Sequence, residues 1–172
     1  MRSLYCALLF VGLVVGCAAP EPPKPATPSP SPPLPSERVK ELGSSMVWLW
    51  SDAGRHEVAV EVVSTPADRS RGLMYREALG PTEGMLFVFP TREQQTFWMK
   101  NTQIPLDMLF LDVDGQGDWR VTGMVHEAQP GDLTPRSDGG PVRMVLEVQG
   151  GWARSRGLTI GSAAKIQDVD TL

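Results

Sequence analysis

Apolar and polar residues alternate along much of this chain. Val58, Val60 and Val62 are interleaved with Glu57, Ala59 and Glu61, a two-residue period that places one face of a strand in a core and the other in water. Met46–Trp50 and His56–Ser64 therefore read as strands, joined by a turn at Asp52-Ala53-Gly54. The run Met85–Phe89 is apolar throughout, rich in aromatics, and ends at Pro90. It reads as a buried strand rather than a helix. Thr96–Lys100, Met108–Val113, Trp119–Val125, Val142–Val148 and Ala163–Val169 are further strand candidates. The Asp- and Gly-rich segment Asp114–Asp118 makes a hairpin loop, and Gln129–Pro141 an exposed one.

Two short helices interrupt the strands. Thr65 is placed to cap the first, with Pro66 at the first helical position and Asp68 on the positive end of the helix dipole. Continuation through Leu73 and Met74 to Arg76 is expected. Gly150-Gly151 opens the second, Trp152–Arg156, and Gly157 closes it. Many short strands with at most two short helices predict a mainly β domain, antiparallel, folded as a barrel-like body or a sandwich. The pattern leaves barrel and sandwich open. This domain covers residues 46–172, enough chain to bury a core without disulfides.

The preceding residues belong to other classes of segment. Residues 1–16 carry Arg2 and then an apolar run from Leu4 to Val15, too short to span a bilayer but the length of a secretory signal. Cys17 follows Gly16, which resembles the lipobox of bacterial lipoproteins. That resemblance implies cleavage before Cys17 and a diacylglyceryl group on its thiol, with palmitate-type acyl chains anchoring the protein stably in a membrane. Ala18 next to it carries no inner-membrane retention signal, so in a two-membrane cell the outer membrane is the expected location. Residues 17–45 continue as a stalk in which nine of the sixteen residues from Pro20 to Pro35 are proline. Proline fixes φ and lacks an N–H, so a polyproline-II spacer is expected, rising about 3.1 Å per residue.

Composition removes several chemistries. Cys6 lies in the signal and Cys17 at the anchor, and these are the only cysteines. The domain thus has no thiol nucleophile, disulfide or thiolate metal site. The net charge is −4, and no basic block or basic–aromatic stripe is present, which disfavours nucleic acid as a partner. His56 and His126 show no metal-ligand spacing, so no metal or other cofactor is expected. His126 is expected at a strand end, bonded to the following loop. Asp112, Asp114 and Asp118 fit a turn better than a calcium loop, because the downstream bidentate Glu is missing. Nucleophile-elbow, phosphate-loop and dinucleotide motifs are absent.

Candidate chemistry concentrates in Trp98-Met99-Lys100-Asn101-Thr102 and Ile104-Pro105-Leu106-Asp107. Polar groups packed among large apolar ones must be paired if buried, since an unpaired one costs about 1–3 kcal/mol. Two arrangements satisfy this. Lys100 and Asp107 could pair across the Pro-containing turn with Asn101 holding that turn. Alternatively Lys100 could clamp an anionic or sugar ligand against the face of Trp98. The candidate ligand-binding residues are Trp98, Lys100, Asn101, Asp107 and Arg76, the last also suited to a helix C-terminus.

Four motifs in fixed order add a resemblance. They are Arg71–Arg76, Gly84–Phe89, Phe97–Thr102 with Ile104–Asp107, and Val145-Leu146-Glu147. Together they resemble the bacterial and archaeal domain-of-unknown-function family 192, over roughly Val58 to Ile166. The resemblance implies a compact β-rich fold, often exported, and brings no activity with it. Gly161-Ser162 departs from the Gly-Asp common before the last strand. The leading expectation is a lipid-anchored envelope protein that binds a small molecule, glycan or envelope partner through the Trp98–Asp107 surface, without catalysis. The alternative is a hydrolase of envelope polymers using Asp107 or Glu147 as general acid or base, which calls for two carboxylates roughly 5–10 Å apart.

Overall fold

The computed structural model describes residues 45–137 and 140–167. The signal, the Cys17 anchor and nearly all of the stalk lie outside the described residues. The elements are β1 (Ser45–Ser51), β2 (Gly54–Val63), α1 (Pro66–Arg71), β3 (Glu83–Gln94), β4 (Leu106–Val113), β5 (Trp119–Ala128), β6 (Pro141–Gln149), α2 (Trp152–Ser155) and β7 (Ala164–Ile166). The mainly β reading holds, with two short helices.

All seven strands form one sheet in the order β5-β4-β6-β3-β2-β1-β7. Its outer strands approach each other: Arg120 bridges Ala163, Val121 N–H donates to Ser162 O at 2.9 Å, and Gly161 N–H donates to Val121 O at 2.8 Å. A curled, barrel-like sheet is the result, not a sandwich. The pairing is antiparallel except between β2 and β3, which run parallel. The chain between them, residues 64–82, contains α1 and is long enough for the crossover that a parallel pair requires.

One face gathers buried side chains from all seven strands, among them Val47, Val58, Leu86, Leu109, Val121, Leu146 and Ile166. A face shared by every strand is the concave one. On the opposite face the apolar layer is confined to β3, β4, β6 and the ends of β2 and β5, where Met85, Phe87, Met108, Phe110, Val145 and Ala128 pack with Leu73, Leu79 and Met99. This second, outer layer is covered by α1 and two connecting segments rather than by more sheet. The strands β3, β4 and β6 are thus buried on both faces and read as continuous apolar runs, as expected of such strands.

Three local expectations change. The first helix ends at Arg71 instead of Arg76, because Gly72 takes a left-handed φ of 46° and its N–H closes on Asp68 O. Its N-terminus is as read, Thr65 accepting from the Asp68 N–H. Strand β3 runs past Pro90 to Gln94, with a register shift against β6 between Val88 and Glu93. Where pairing lapses, a missing proline N–H costs nothing. Thr96–Lys100 is not a strand. Its two-residue alternation is real, with Met99 fully buried and Trp98 and Lys100 exposed. Its backbone, however, bonds to the loop after β5, through Phe97 to Arg136 and Met99 to Asp132.

Candidate functional site

Over the outer layer a cavity of about 410 Å³ opens between α1, the residues following it and the Phe97–Thr102 segment. Its walls are largely apolar and aromatic. Phe97 stands edge-on to Phe87 at 5.1 Å, to Phe110 at 6.2 Å and to Phe89 at 6.4 Å between ring centroids. Gly72 lets the chain pass close to this group: a Cβ there would lie 3.1 Å from the Phe87 ring, and the positive φ already disfavours a side chain.

Glu147 belongs to the cavity lining. It sits on the central strand β6, opposite Met85 of β3 and Met108 of β4, and is 4% exposed. The same two-residue period that points Leu146 and Val148 into the concave core turns Glu147 to the outer layer. No hydrogen bond or ion pair from the described residues reaches its carboxyl, which opens onto the cavity. Burial therefore acts without compensation and pushes its pKa up to about 8. At neutral pH this side chain is a neutral acid, able both to donate and to accept a hydrogen bond.

Cations border the opening. Arg69 from α1 holds the carbonyls of Ser64 and Val88 and lies over the Phe89 ring at 5.1 Å. Lys100 lies over the half-exposed Trp98 ring at 5.2 Å. Neither Lys100 nor Arg71 forms an ion pair among the described residues, and both line the cavity. Glu147 is the only carboxylate among the lining residues.

The candidates read from sequence are thus dispersed. Trp98 and Lys100 are in the cavity wall. Asn101 stands beside it at a left-handed φ of 54°, its amide donating to Tyr75 Oη at 2.8 Å while Tyr75 N–H donates to Asn101 O. Arg76 is engaged with Glu61 at 2.7 Å and does not line the cavity. Asp107 is fully buried and does not pair with Lys100, which lies over Trp98 at the cavity. It accepts instead from the backbone N–H groups of Glu127 at 2.8 Å, Gly151 at 3.0 Å and Ala153 at 2.8 Å. Gly151 offers α2 no capping side chain, so a carboxylate from a distant strand caps it. The same carboxylate fixes the irregularity in β5 where Glu127 takes a φ of 47°.

Other polar groups are structural. Asp114 accepts from the Gln116 and Asp118 N–H groups, and chiefly the Arg120 side-chain bond holds its pKa below the usual carboxylate value. Asp112, buried, accepts from the Arg92 side chain and from the Val113 N–H at 2.9 Å. The bond from His126 to a loop is not formed at Nδ1, which is buried without a partner. Among the described residues no group of three or more His, Cys, Asp or Glu converges as a metal site, and no helix is long and apolar enough to cross a membrane.

A curled seven-stranded sheet with an outer apolar layer and a cavity above it defines a family rather than a chemistry. The chain belongs to that family, DUF192, described as uncharacterized ACR, whose match covers residues 48–166. Among solved structures it is similar to a protein of unknown function from Novosphingobium aromaticivorans, 38% identical, covering 70% of this chain and 83% of the other with a TM-score of 0.65. It is also similar to a Sinorhizobium meliloti protein described as a "putative transcription regulator", 33% identical, covering 73% of this chain and 95% of the other, TM-score 0.67. No curated protein matches the sequence.

Proposed function

We propose that this protein is a lipid-anchored envelope protein whose domain binds a small molecule in the cavity above Glu147. The observation that carries the reading is an unpaired, buried carboxyl in a cavity with aromatic walls and free cations. Its volume lies within the range of about 300–1,000 Å³ usual for small-molecule sites, and a few polar groups in an apolar lining are what orient such ligands. A single lining carboxylate supports binding over acid–base hydrolysis by a carboxylate pair, which needs a second acid across the cleft. The net charge of −4 weighs against transferring the regulator designation of the Sinorhizobium protein to this chain in the sense of nucleic-acid binding.

Binding is tested by NMR with a mixture of small aromatic alcohols, acids and amines. The Met74 methyl and the Trp98 indole N–H are expected to shift on addition. Ser70→Trp, an exposed α1 substitution in the cavity lining, should block those shifts while leaving the remaining spectrum intact. An unaltered wild-type spectrum at millimolar fragment would overturn the reading.

The envelope half of the proposal rests on Cys17 and the leader before it. Cys17→Ser is expected to move the protein from the membrane fraction to the soluble fraction without changing the domain's melting temperature. Retention of the variant in salt-washed membranes would rule out lipid as the attachment.

A further inference from the structure

The floor and the opening of the cavity ask for different chemistry in one ligand. On the floor, Glu147 is buried between Met85 and Met108 in strand register, with no partner among the described residues. A lone carboxylate in such surroundings is strongly disfavoured as an anion, so what it offers is an uncharged O–H and a carbonyl oxygen. Their complement is a hydroxyl, carbonyl or amide. At the opening, Arg71 and Lys100 carry charges that no carboxylate of the described domain neutralises. Between the two ends lie aromatic faces, Phe97 and Trp98 among them.

We propose that the cavity takes a small organic anion with two polar ends. Its charged end, a carboxylate or phosphate, meets Arg71 and Lys100 at the opening, and its uncharged hydroxyl, carbonyl or amide end bonds to the Glu147 carboxyl on the floor. The apolar or planar middle packs against Phe97 and Trp98. This ligand class rests on the small-molecule reading of the cavity but is not implied by it, since a cavity floored by a carboxyl could equally recognise an amine.

The charged groups facing Glu147 set how binding should respond to pH. From α1 the cavity receives Arg69 and Arg71, and from the segment after β3 it receives Lys100. Strand β3 contributes Phe87 and Phe89 to the lining and Met85 in register, and β4 contributes Met108 in register. No other acid lines the cavity. With its pKa near 8 through burial, Glu147 stays neutral below that pH and becomes an anion above it. An organic anion should then bind evenly from about pH 6, where its carboxylate is ionised, to about pH 8, and more weakly above. An ammonium ligand would show the reverse.

The experiment uses the full chain carrying Cys17→Ser, which alters the anchor and leaves the domain untouched, and four matched probes. These are para-hydroxyphenylacetate, phenylacetate, the alcohol tyrosol and the amine tyramine. Affinities come from NMR titration of the Met74 methyl and the Trp98 indole. The hydroxylated acid is expected to bind about tenfold more tightly than tyramine and several-fold more tightly than phenylacetate or tyrosol, the size of one good polar contact. Lys100→Gln and Arg71→Gln should each bring the hydroxylated acid down toward tyrosol while leaving tyrosol unchanged. Glu147→Gln should abolish the weakening above pH 8, because Gln has no proton to lose.

If tyramine binds most tightly, the organic-anion proposal is overturned while small-molecule binding stands. Equal affinity for tyrosol and the hydroxylated acid overturns the part given to Arg71 and Lys100. Equal affinity for phenylacetate and the hydroxylated acid overturns the part given to Glu147. If none of the probes, whatever its charge, moves either resonance, the small-molecule reading falls together with the ligand class.

Discussion

Glu147→Gln should remove a pH dependence of stability on the order of 5 kcal/mol that the wild-type domain carries between about pH 4.5 and pH 8. The sign follows from where the carboxyl titrates. In the unfolded chain Glu147 ionises around its ordinary value of 4.5, and in the fold burial holds it protonated up to about 8. Below pH 4.5 both states bind the proton and the stability is complete. As pH rises, the unfolded state loses it first, so stability falls by about 1.36 kcal/mol per pH unit. Above pH 8 both states are ionised and the loss is at its full extent. Gln has no proton to lose, so the difference in unfolding free energy between variant and wild type should widen from pH 5 to pH 8.5 in urea melts. Parallel curves for the two proteins would show that Glu147 ionises in the folded state as it does in water.

The other large effect is expected at Asp107, where Asp107→Asn should cost about 1–4 kcal/mol. Three backbone N–H donors, from Glu127, Gly151 and Ala153, converge on this buried carboxylate. An amide keeps one acceptor oxygen and turns an NH2 toward at least one of those donors, leaving it unsatisfied where water cannot reach. The α2 N-terminus loses its cap in the same step. Because Asp107 does not line the cavity, ligand affinity measured where the variant is folded should be unchanged. Melting temperature and fragment affinity therefore separate the two acids. A variant as stable as the wild type would contradict the capping role, and a loss of affinity without a loss of stability would place Asp107 in the ligand site after all.

Much of the fold was legible because its signals are local. The Val58–Val62 alternation, the Thr65-Pro66-Asp68 helix start and the Asp114–Asp118 turn each depend on a few adjacent residues, and each is found as read. The parallel pairing of β2 with β3 and the meeting of β5 with β7 depend on residues distant in sequence, and a strand's own pattern carries no record of its partner. The Phe97–Lys100 segment shows the same limit from the other side. It alternates as a strand does because it lies over an apolar layer with water above, but its backbone pairs with a loop.

The site was legible in part for the same reason. Trp98 and Lys100 stood out as a large aromatic next to a cation, and both line the cavity. Asp107 stood out as a charge near an apolar run, and its burial was foreseeable. Its partners, up to 46 residues away, were not. Arg71 carries no local signal of a site, and only the fold shows that it lines the cavity. Glu147 was weighed only as an acid for the hydrolytic alternative. Its signal was one acid inside the apolar run Met144-Val145-Leu146-Glu147-Val148. On a strand buried on one face, alternation would have sent Glu147 to water. Burial of β6 on both faces, a property of the sheet order, brings it instead to the floor of a cavity.

The direct test of that floor is a carbon-13 NMR titration of the Glu147 side-chain carboxyl in the folded protein, assigned by its loss in Glu147→Gln. A midpoint near pH 8 is expected, with the resonance at the chemical shift of a neutral acid through pH 7. A midpoint near the ordinary 4.5 would mean an ionised, solvated carboxylate at this position, and would contradict the account of a neutral acid waiting unpaired for a ligand.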